Sequence, residues 1–347
     1  MALNRGAARY VHKRAAYDLV VDGRRINSQV EPRLMSFSLT EKRGADADEL
    51  ELVLDDSDGS LAIPPAGAII TLKIGWQELT EGDPAPQLVD KGQFKVDLRS
   101  HDGTPDRLTI SAKSADLTKQ FRHRRTQTWS NTTLGDVLGD IASRHDWEPA
   151  VATDKASIAI THLTQSKESD AAFLARLGRI HDAVATVKSG HLVFAAVGSG
   201  VTPKGSAIPE FTITRAKGDR HRWQASERDK GSGVVAEWHD RSTGRRDKVV
   251  VGSEDNAKKL GRTYGSKASA ERAAKNQASK QDRKGAQFSL DLAEGDVTLF
   301  PDRKGRVSGW KPEIDDAGWV IAEARHSLDA AGGLKTSLQM ELGGKTT

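Results

Sequence analysis

The sequence predicts a mixed, mainly β protein in which two related β-barrel domains flank an α+β domain, with a helix inserted in the second barrel. Three observations predict it. First, a two-strand pattern occurs near the end of the first third and again at the C-terminus. Phe94-Lys-Val96-Asp-Leu98-Arg-Ser-His101 runs through the turn Asp102–Asp106 into Leu108-Thr-Ile110-Ser, and Trp319-Val-Ile321 through His326-Ser-Leu328 runs past Ala331-Gly332-Gly333 into Leu334–Met340. Each unit is an aromatic-led strand ending in a histidine, a glycine-containing turn, and a second alternating strand. Second, apolar residues alternate through most of the N-terminal third, the mark of sheets with one buried face. Third, the period switches to that of amphipathic helices in the middle of the chain and back again.

Residues 1–14 are basic and aperiodic and read as a flexible arm. Tyr17, Leu19 and Val21 alternate into the Asp22-Gly23 turn, a hairpin signal. Leu34–Leu39, then Leu50, Leu52 and Leu54, then Ile70, Leu72 and Ile74 after Pro64-Pro65, give further strands before the Phe94 unit. Together they form the first barrel, residues 15–115. Leu134, Val137, Leu138 and Ile141 then follow a helical period, with Asn131 or Thr132 placed to cap it. A second helix starts at Ser169-Asp170 and carries Phe173, Leu174, Leu177 and Ile180, and a hairpin follows through Ser189-Gly190. These make an α+β middle domain over 116–205, closed by the Gly/Pro-rich joint 198–205.

The second barrel occupies 206–342. Its strands are Phe211–Arg215, Val234–Trp238, Val249–Val251 and those from Phe288 onward. They are interrupted by an Ala-, Lys- and Arg-rich helical insertion at about 255–284, capped at Ser266 or Ser269. Its stripe of Ala270, Ala273, Ala274 and Ala278 buries little area, which points to a surface-laid helix or one docked on a partner. Residues 343–347 read as a tail.

Composition narrows the function classes. With 347 residues there is length for two or three cores. No cysteine is present, which removes disulfides, thiolate metal sites and cysteine nucleophiles together. No apolar run reaches the roughly 20 residues that span a bilayer, and the N-terminus lacks the apolar core of a secretion signal. A soluble protein made in the cytoplasm, with no stable membrane association, is expected. The charge of +4 is dispersed, and the basic runs Arg122–Arg125 and Arg220–Arg222 are too short for a nucleic-acid stripe.

The catalytic signatures are missing too. There is no H-E-x-x-H and no G-x-S-x-G elbow; Ser308 has the wrong spacing. The ten histidines (His12, His101, His123, His145, His162, His181, His191, His221, His239 and His326) are scattered, so no metal site is expected. Gly343-Gly-Lys-Thr346 resembles the end of a phosphate loop, but Gln339 stands where the first glycine belongs and no helix can follow. The carboxylates Asp55, Asp56 and Asp58, and Asp315 and Asp316, are the candidates for a hydrolase pair. Turn formation explains them better: no closing Glu completes a calcium loop and no aromatics stand by to stack on sugar. No catalytic, cofactor-binding or metal-binding residue is assigned.

Several stretches, in order, carry a family resemblance: Pro105–Leu117, Trp129–Leu138, Glu168–Leu177, Ile213–His221, and Gly318–Ile321 with Arg325-His-Ser-Leu328. The chain resembles the late control gene D proteins of contractile-tailed phages, tail hubs related to the N-terminal half of VgrG. That resemblance implies a non-enzymatic tail hub whose two barrels are tail-tube-like. Three chains would make a pseudo-sixfold ring that adapts the sixfold tube to a threefold spike and nucleates tube assembly. The implied partners are further copies of the chain, the spike (a separate protein), the tube, baseplate wedge components and the tape-measure end, with DNA passing only through the lumen. The implied location is the virion baseplate, assembled in the bacterial cytoplasm, and the inserted helix is the expected external contact. Rival readings are a tail-associated peptidoglycan hydrolase and a nucleic-acid binder using the two basic runs.

Overall fold

In the computed structural model the described residues are 12–44, 47–80, 84–114, 119–188, 190–202, 204–226, 232–240, 242–329 and 333–343. Most of the expected arm and tail lies outside them. Lys13 and Arg14, assigned to the arm, open the first strand.

The N-terminal region contains β1 (Lys13–Val21), β2 (Arg24–Arg25), the single turn α1 (Asn27–Val30), β3 (Leu34–Lys42), β4 (Glu49–Asp55), β5 (Ile69–Glu78), β6 (Gln87–Asp102) and β7 (Arg107–Ser114). The alternation read from sequence is the alternation of burial: Leu50, Leu52 and Leu54 face one core while Glu49, Glu51 and Asp55 do not. Asp22 and Gly23 turn with positive φ, as that hairpin requires.

The middle region comprises β8 (Arg124–Thr133), α2 (Leu134–Ser143), β9 (Glu148–Val151), α3 (Thr153–Ala156), β10 (Ala159–Ser169), α4 (Asp170–His181), β11 (Ala183–Lys188) and β12 (His191–Ala196). Leu134, Val137, Leu138 and Ile141 of α2 and Phe173, Leu174 and Leu177 of α4 fill a core over the β11-β12-β9 sheet and the β8–β10 ribbon. The cap of α2 is Thr133 rather than Asn131 or Thr132. Its hydroxyl accepts from Asp136 N, and Asp136 returns a bond to the Thr133 backbone. Only Asp136 sits three residues after a hydroxyl that can reach it in this way. Ser169 caps α4 as expected.

The C-terminal region runs β13 (Phe211–Thr214), β14 (Gly218–Ala225), β15 (Gly233–His239), β16 (Arg246–Gly252), β17 (Lys258–Tyr264), α5 (Lys267–Lys284), β18 (Ala286–Leu292), β19 (Lys304–Ser308), the turn α6 (Pro312–Asp315), β20 (Trp319–Asp329) and β21 (Gly333–Leu342). The insertion is not wholly helical: residues 258–264 are a strand, and the helix begins at Lys267 after the Ser266 cap. It forms a satellite in which β16-β15-β17 pack on α5 around Val234, Ala236, Ala270 and Ala274. Nor does α5 lie free on the surface. Asn276 Nδ2 donates to Ile180 O at 2.9 Å, Lys280 Nζ donates to Arg179 O, and Arg283 pairs with Asp182 and, at 3.2 Å, with Glu341. Alanine gives the helix a flat face that can approach a sheet closely, and its polar ends supply the docking.

The two barrels expected from the sequence do not stand apart. One thirteen-stranded sheet runs β14-β18-β21-β20-β3-β4-β7-β6-β5-β1-β2, with β19 on β20 and β13 on β19. It curls around two separate cores, one N-terminal and one C-terminal. Among the described residues the ladder does not close on itself. The join is β3 with β20, antiparallel from Ser36↔Asp329 to Lys42↔Glu323. Two strand edges that would each present unpaired backbone groups satisfy one another there.

Candidate inter-subunit interface

The β3–β20 joint holds a buried polar cluster. Glu41 on β3 is buried and receives Lys91 Nζ at 2.6 Å, with His326 Nε2 at 3.3 Å and Lys188 Nζ at 3.6 Å. Thr336 Oγ1 and His326 Nδ1 lie 2.9 Å apart, and His326 Nε2 is 3.2 Å from Leu299 O. His326 Nε2 also lies 3.2 Å from Lys91 Nζ, so one ring nitrogen faces the carboxylate, the carbonyl and the ammonium together. Burial opposes ionisation of Glu41, yet the His326 hydrogen bond and the ammonium groups of Lys91 and Lys188 outweigh it and hold the carboxyl at about 2. Burial lowers His326, only partly offset by Glu41. Lys188 comes from β11 and also reaches Asp48 at 3.4 Å, so the middle domain is pinned to the joint. This arrangement locks strands.

On either side of the joint the sheet repeats itself. The path β3-β4-β7-β6-β5 is matched by β14-β18-β21-β20-β19, hairpin for hairpin. In β6–β7, Phe94 faces Ser114 and a bulge falls between Val96 and Leu98; in β20–β21, Trp319 faces Leu342 and the bulge falls between Ile321 and Glu323. A constant offset maps Phe94 onto Trp319, Val96 onto Ile321 and His101 onto His326. The bulge between Leu34 and Ser36 in β3 has its counterpart between Gly218 and His221 in β14. Val96 exchanges backbone hydrogen bonds with Gly67 and Ala68 as Ile321 does with Asp302 and Arg303, and Gly67 and Asp302 both have positive φ. Bulges mark pairing registers, so their coincidence identifies a true structural repeat.

The repeat exposes an asymmetry. The first half of β20 is covered by β19 and the second half by β3. The first half of β6 is covered by β5, but from Asp97 to Asp102 that edge has no strand beside it among the described residues. At the other end of the sheet, β14 pairs only with β18 among the described strands. Leu98 on the first free edge is 62% exposed and Trp223 on the second is 37% exposed.

The residues singled out as possible chemistry go elsewhere. Asp58 grips the Arg33 guanidinium, with Nη1–Oδ1 at 2.7 Å; Asp55 bonds Ser57; and Asp56 accepts from Leu61 N at 2.9 Å and lies 3.1 Å from His101. Asp315 accepts from Gly309 N at 2.9 Å and from Trp310 N, and Asp316 caps the turn α6. The carboxylates of Asp55, Asp56, Asp58 and Asp315 hold local backbone, as turn chemistry requires, whereas Asp316 acts through its backbone N–H to Pro312 O. Among the described residues no group of three or more His, Asp or Glu is placed to hold a metal, and no helix is long and apolar enough to cross a membrane. His145 pairs with the buried Asp170 at 2.9 Å, where Arg144 also binds at 2.7 Å. Of the basic runs, Arg124 and Arg125 lie on β8, whereas Arg220 and Arg222 lie on the free edge strand β14. Sequence reasoning missed both free edges.

Comparison with known proteins agrees with this architecture. Residues 89–332 match the family described as phage tail baseplate hub (GPD). Two relatives, from Escherichia phages 186 and P2, are each named "Probable baseplate hub protein". They are 35% and 36% identical, aligning over 94% of this chain and 92% of their own length. Among solved structures, the tail protein from Neisseria meningitidis MC58 superposes with a TM-score of 0.69 at 14% identity, covering 94% of this chain and 96% of its own. An Escherichia coli component of the type VI secretion system superposes at 0.52 and 12% identity, covering 90% of this chain and 74% of its own. These two show a shared fold. By its matched segment and by relatives aligned nearly end to end, the chain belongs to the phage tail baseplate hub (GPD) family.

Proposed function

We propose that the chain is the structural hub of a contractile tail or related injection particle, acting as a ring of three copies. Two sheet repeats per chain present six similar units to the sixfold tube on one face and a threefold surface to a spike on the other. The observation that carries this reading is the repeat itself, in which two five-strand units share registers and bulge positions within one continuous sheet. A chain with one such unit would match a threefold partner only; two units per chain make three molecules resemble six. Such a ring would seed tube polymerisation, hold the spike until contraction, and pass DNA and the tape-measure end through its lumen. It would contact baseplate wedge components outside, and it would be built in the bacterial cytoplasm into the virion. The satellite of β15–β17 and α5 is the element proposed for the outer contact.

The work is geometric rather than catalytic. Four of the five carboxylates a peptidoglycan hydrolase could use, Asp55, Asp56, Asp58 and Asp315, are engaged in turns, bound to backbone or to Arg33. Light scattering combined with electron microscopy of the purified full-length chain tests the reading. Threefold rings with near-sixfold density support it; a monomer or an open filament at all concentrations, or clearing in a cell-wall zymogram, counts against it.

A further inference from the structure

The internal joint is a template for a contact that a single chain cannot complete. It pairs the second half of β20 with β3. In the other repeat, among the described residues, the counterpart of β20 is β6, whose second half has no strand on its outer edge, and the counterpart of β3 is β14, whose outer edge has none. We infer that Asp97–Asp102 of one copy pairs antiparallel with β14 of a second copy, in the register that β20 adopts with β3. This inference rests on the ring reading and deepens it to named residues.

The register follows from the two offsets. Arg325↔Thr40 maps onto Ser100↔Gln224, His326↔Leu39 onto His101↔Trp223, and Ser327↔Ser38 onto Asp102↔Arg222. The side chains agree with it. Trp223 and His221 occupy the positions of Leu39 and Phe37, both buried, yet Trp223 is 37% exposed in the isolated chain. An aromatic ring held at a core-facing position of an edge strand is an interface residue without its cover. Asp102 and Arg222 fall directly opposite one another, an attractive cross-strand pair. The edge strand β14 carries Asp219, Arg220 and Arg222 on an almost fully exposed strand, which keeps it from pairing with arbitrary partners before assembly. Because β6 and β14 are different surfaces, the contact is head-to-tail and propagates around a ring until it closes.

The cysteine-free sequence makes the test direct. In the full-length chain, Ser100→Cys with Gln224→Cys is oxidised and run without reductant. Thr40→Cys with Arg325→Cys, the template pair, serves as the control and closes within one chain. The expected result is covalent dimer and trimer for the first pair, and none for either single variant. Trp223→Ala is expected to weaken self-association by roughly thirtyfold. Asp102→Arg is expected to weaken it by roughly three- to tenfold, with recovery when Arg222→Asp is added. A trimer that forms while the control closes but Ser100/Gln224 does not, or that cross-links instead through Asp102→Cys with Gln224→Cys, overturns this register and leaves the ring reading standing. A chain that stays monomeric, uncross-linked at every concentration, overturns both.

Discussion

The N-terminal and C-terminal repeats share five strands and differ in what has been inserted between them. In the first, β3 and β4 are joined by residues 43–48; in the second, β14 and β18 are separated by the whole satellite of β15–β17 and α5. Beyond the shared strands, β1 pairs antiparallel with β5 whereas β13 pairs parallel with β19. Loops and outermost strands vary while the paired registers stay fixed, as expected if the registers, not the loops, make the common surface. The sharpest contrast lies at the joint. Position 41 of the first repeat is a buried glutamate in an ion network; its counterpart, Ala225, is exposed.

That contrast gives the largest predicted effect. Replacing Lys91 by Met keeps the stem but strips Glu41 of its closest cation, leaving a carboxylate 3% exposed. A loss of about 3 kcal/mol in denaturant unfolding is expected, since losing its closest cation leaves the buried charge offset only by the more distant Lys188 and by His326. No single surface lysine of the second repeat should cost more than a few tenths. The same network fixes the acid response. Glu41 is held at about 2, below its ordinary value of 4.5, so its contribution is fully present above pH 4.5 and is lost as pH falls toward 2. That contribution is of the order of 3 kcal/mol. His326, kept neutral by burial, adds a loss that begins below about pH 6.5. Thermal melts of the wild type and Glu41→Gln across this range should differ by a gap that narrows from pH 4.5 downward; a constant gap would disprove the assignment.

How far the sequence carried these features is set by where their causes lie. Strands β3 to β7 were legible because each has one apolar face. The aromatic-to-histidine match of the two hairpins proved to be a true registration, with Phe94 over Trp319 and His101 over His326. Strand β14, Gly-Asp-Arg-His-Arg-Trp-Gln-Ala, shows no alternation, because among the described strands only β18 pairs with it and most of its side chains are exposed. In the sequence its Arg220-His-Arg222 core reads as a basic run. Strands β8 and β10 were missed for a related reason: they form a two-stranded ribbon that leaves most side chains in water. The joint itself pairs residues nearly three hundred positions apart, and no local pattern encodes such a pairing. The merger of two expected barrels into one sheet was therefore out of reach.

A middle-sized effect separates the repeats at Gly67 and Asp302, which fill the same left-handed position. Burial raises Asp302 to about 6, against the pull of its bond from Gly198 N at 2.7 Å. A carboxylate raised in the folded state costs stability as pH rises through about 4 to 6. Asp302→Asn keeps the acceptor and tolerates positive φ, so it should stabilise the chain by about 1 kcal/mol at pH 7 and by little below pH 4. Calorimetry at the two pH values measures this, and destabilisation at pH 7 would show that the charge is needed.

The smallest effect on the folded chain is the most informative about assembly. Ala225→Glu restores to the second repeat the residue type that the first carries at position 41. On an exposed strand it should change the unfolding free energy by less than about 0.5 kcal/mol, in contrast to the buried glutamate at the joint. In a ring joined as inferred, however, position 225 lies opposite Arg99 of the next copy, as Glu41 lies opposite Ala324. The new carboxylate would then meet a guanidinium across the seam, and self-association should strengthen by roughly two- to fivefold at low salt. The gain should fade as salt screens the pair. Unchanged association at low salt would mean that position 225 faces no arginine, and that the two repeats are not joined between molecules as they are joined within one.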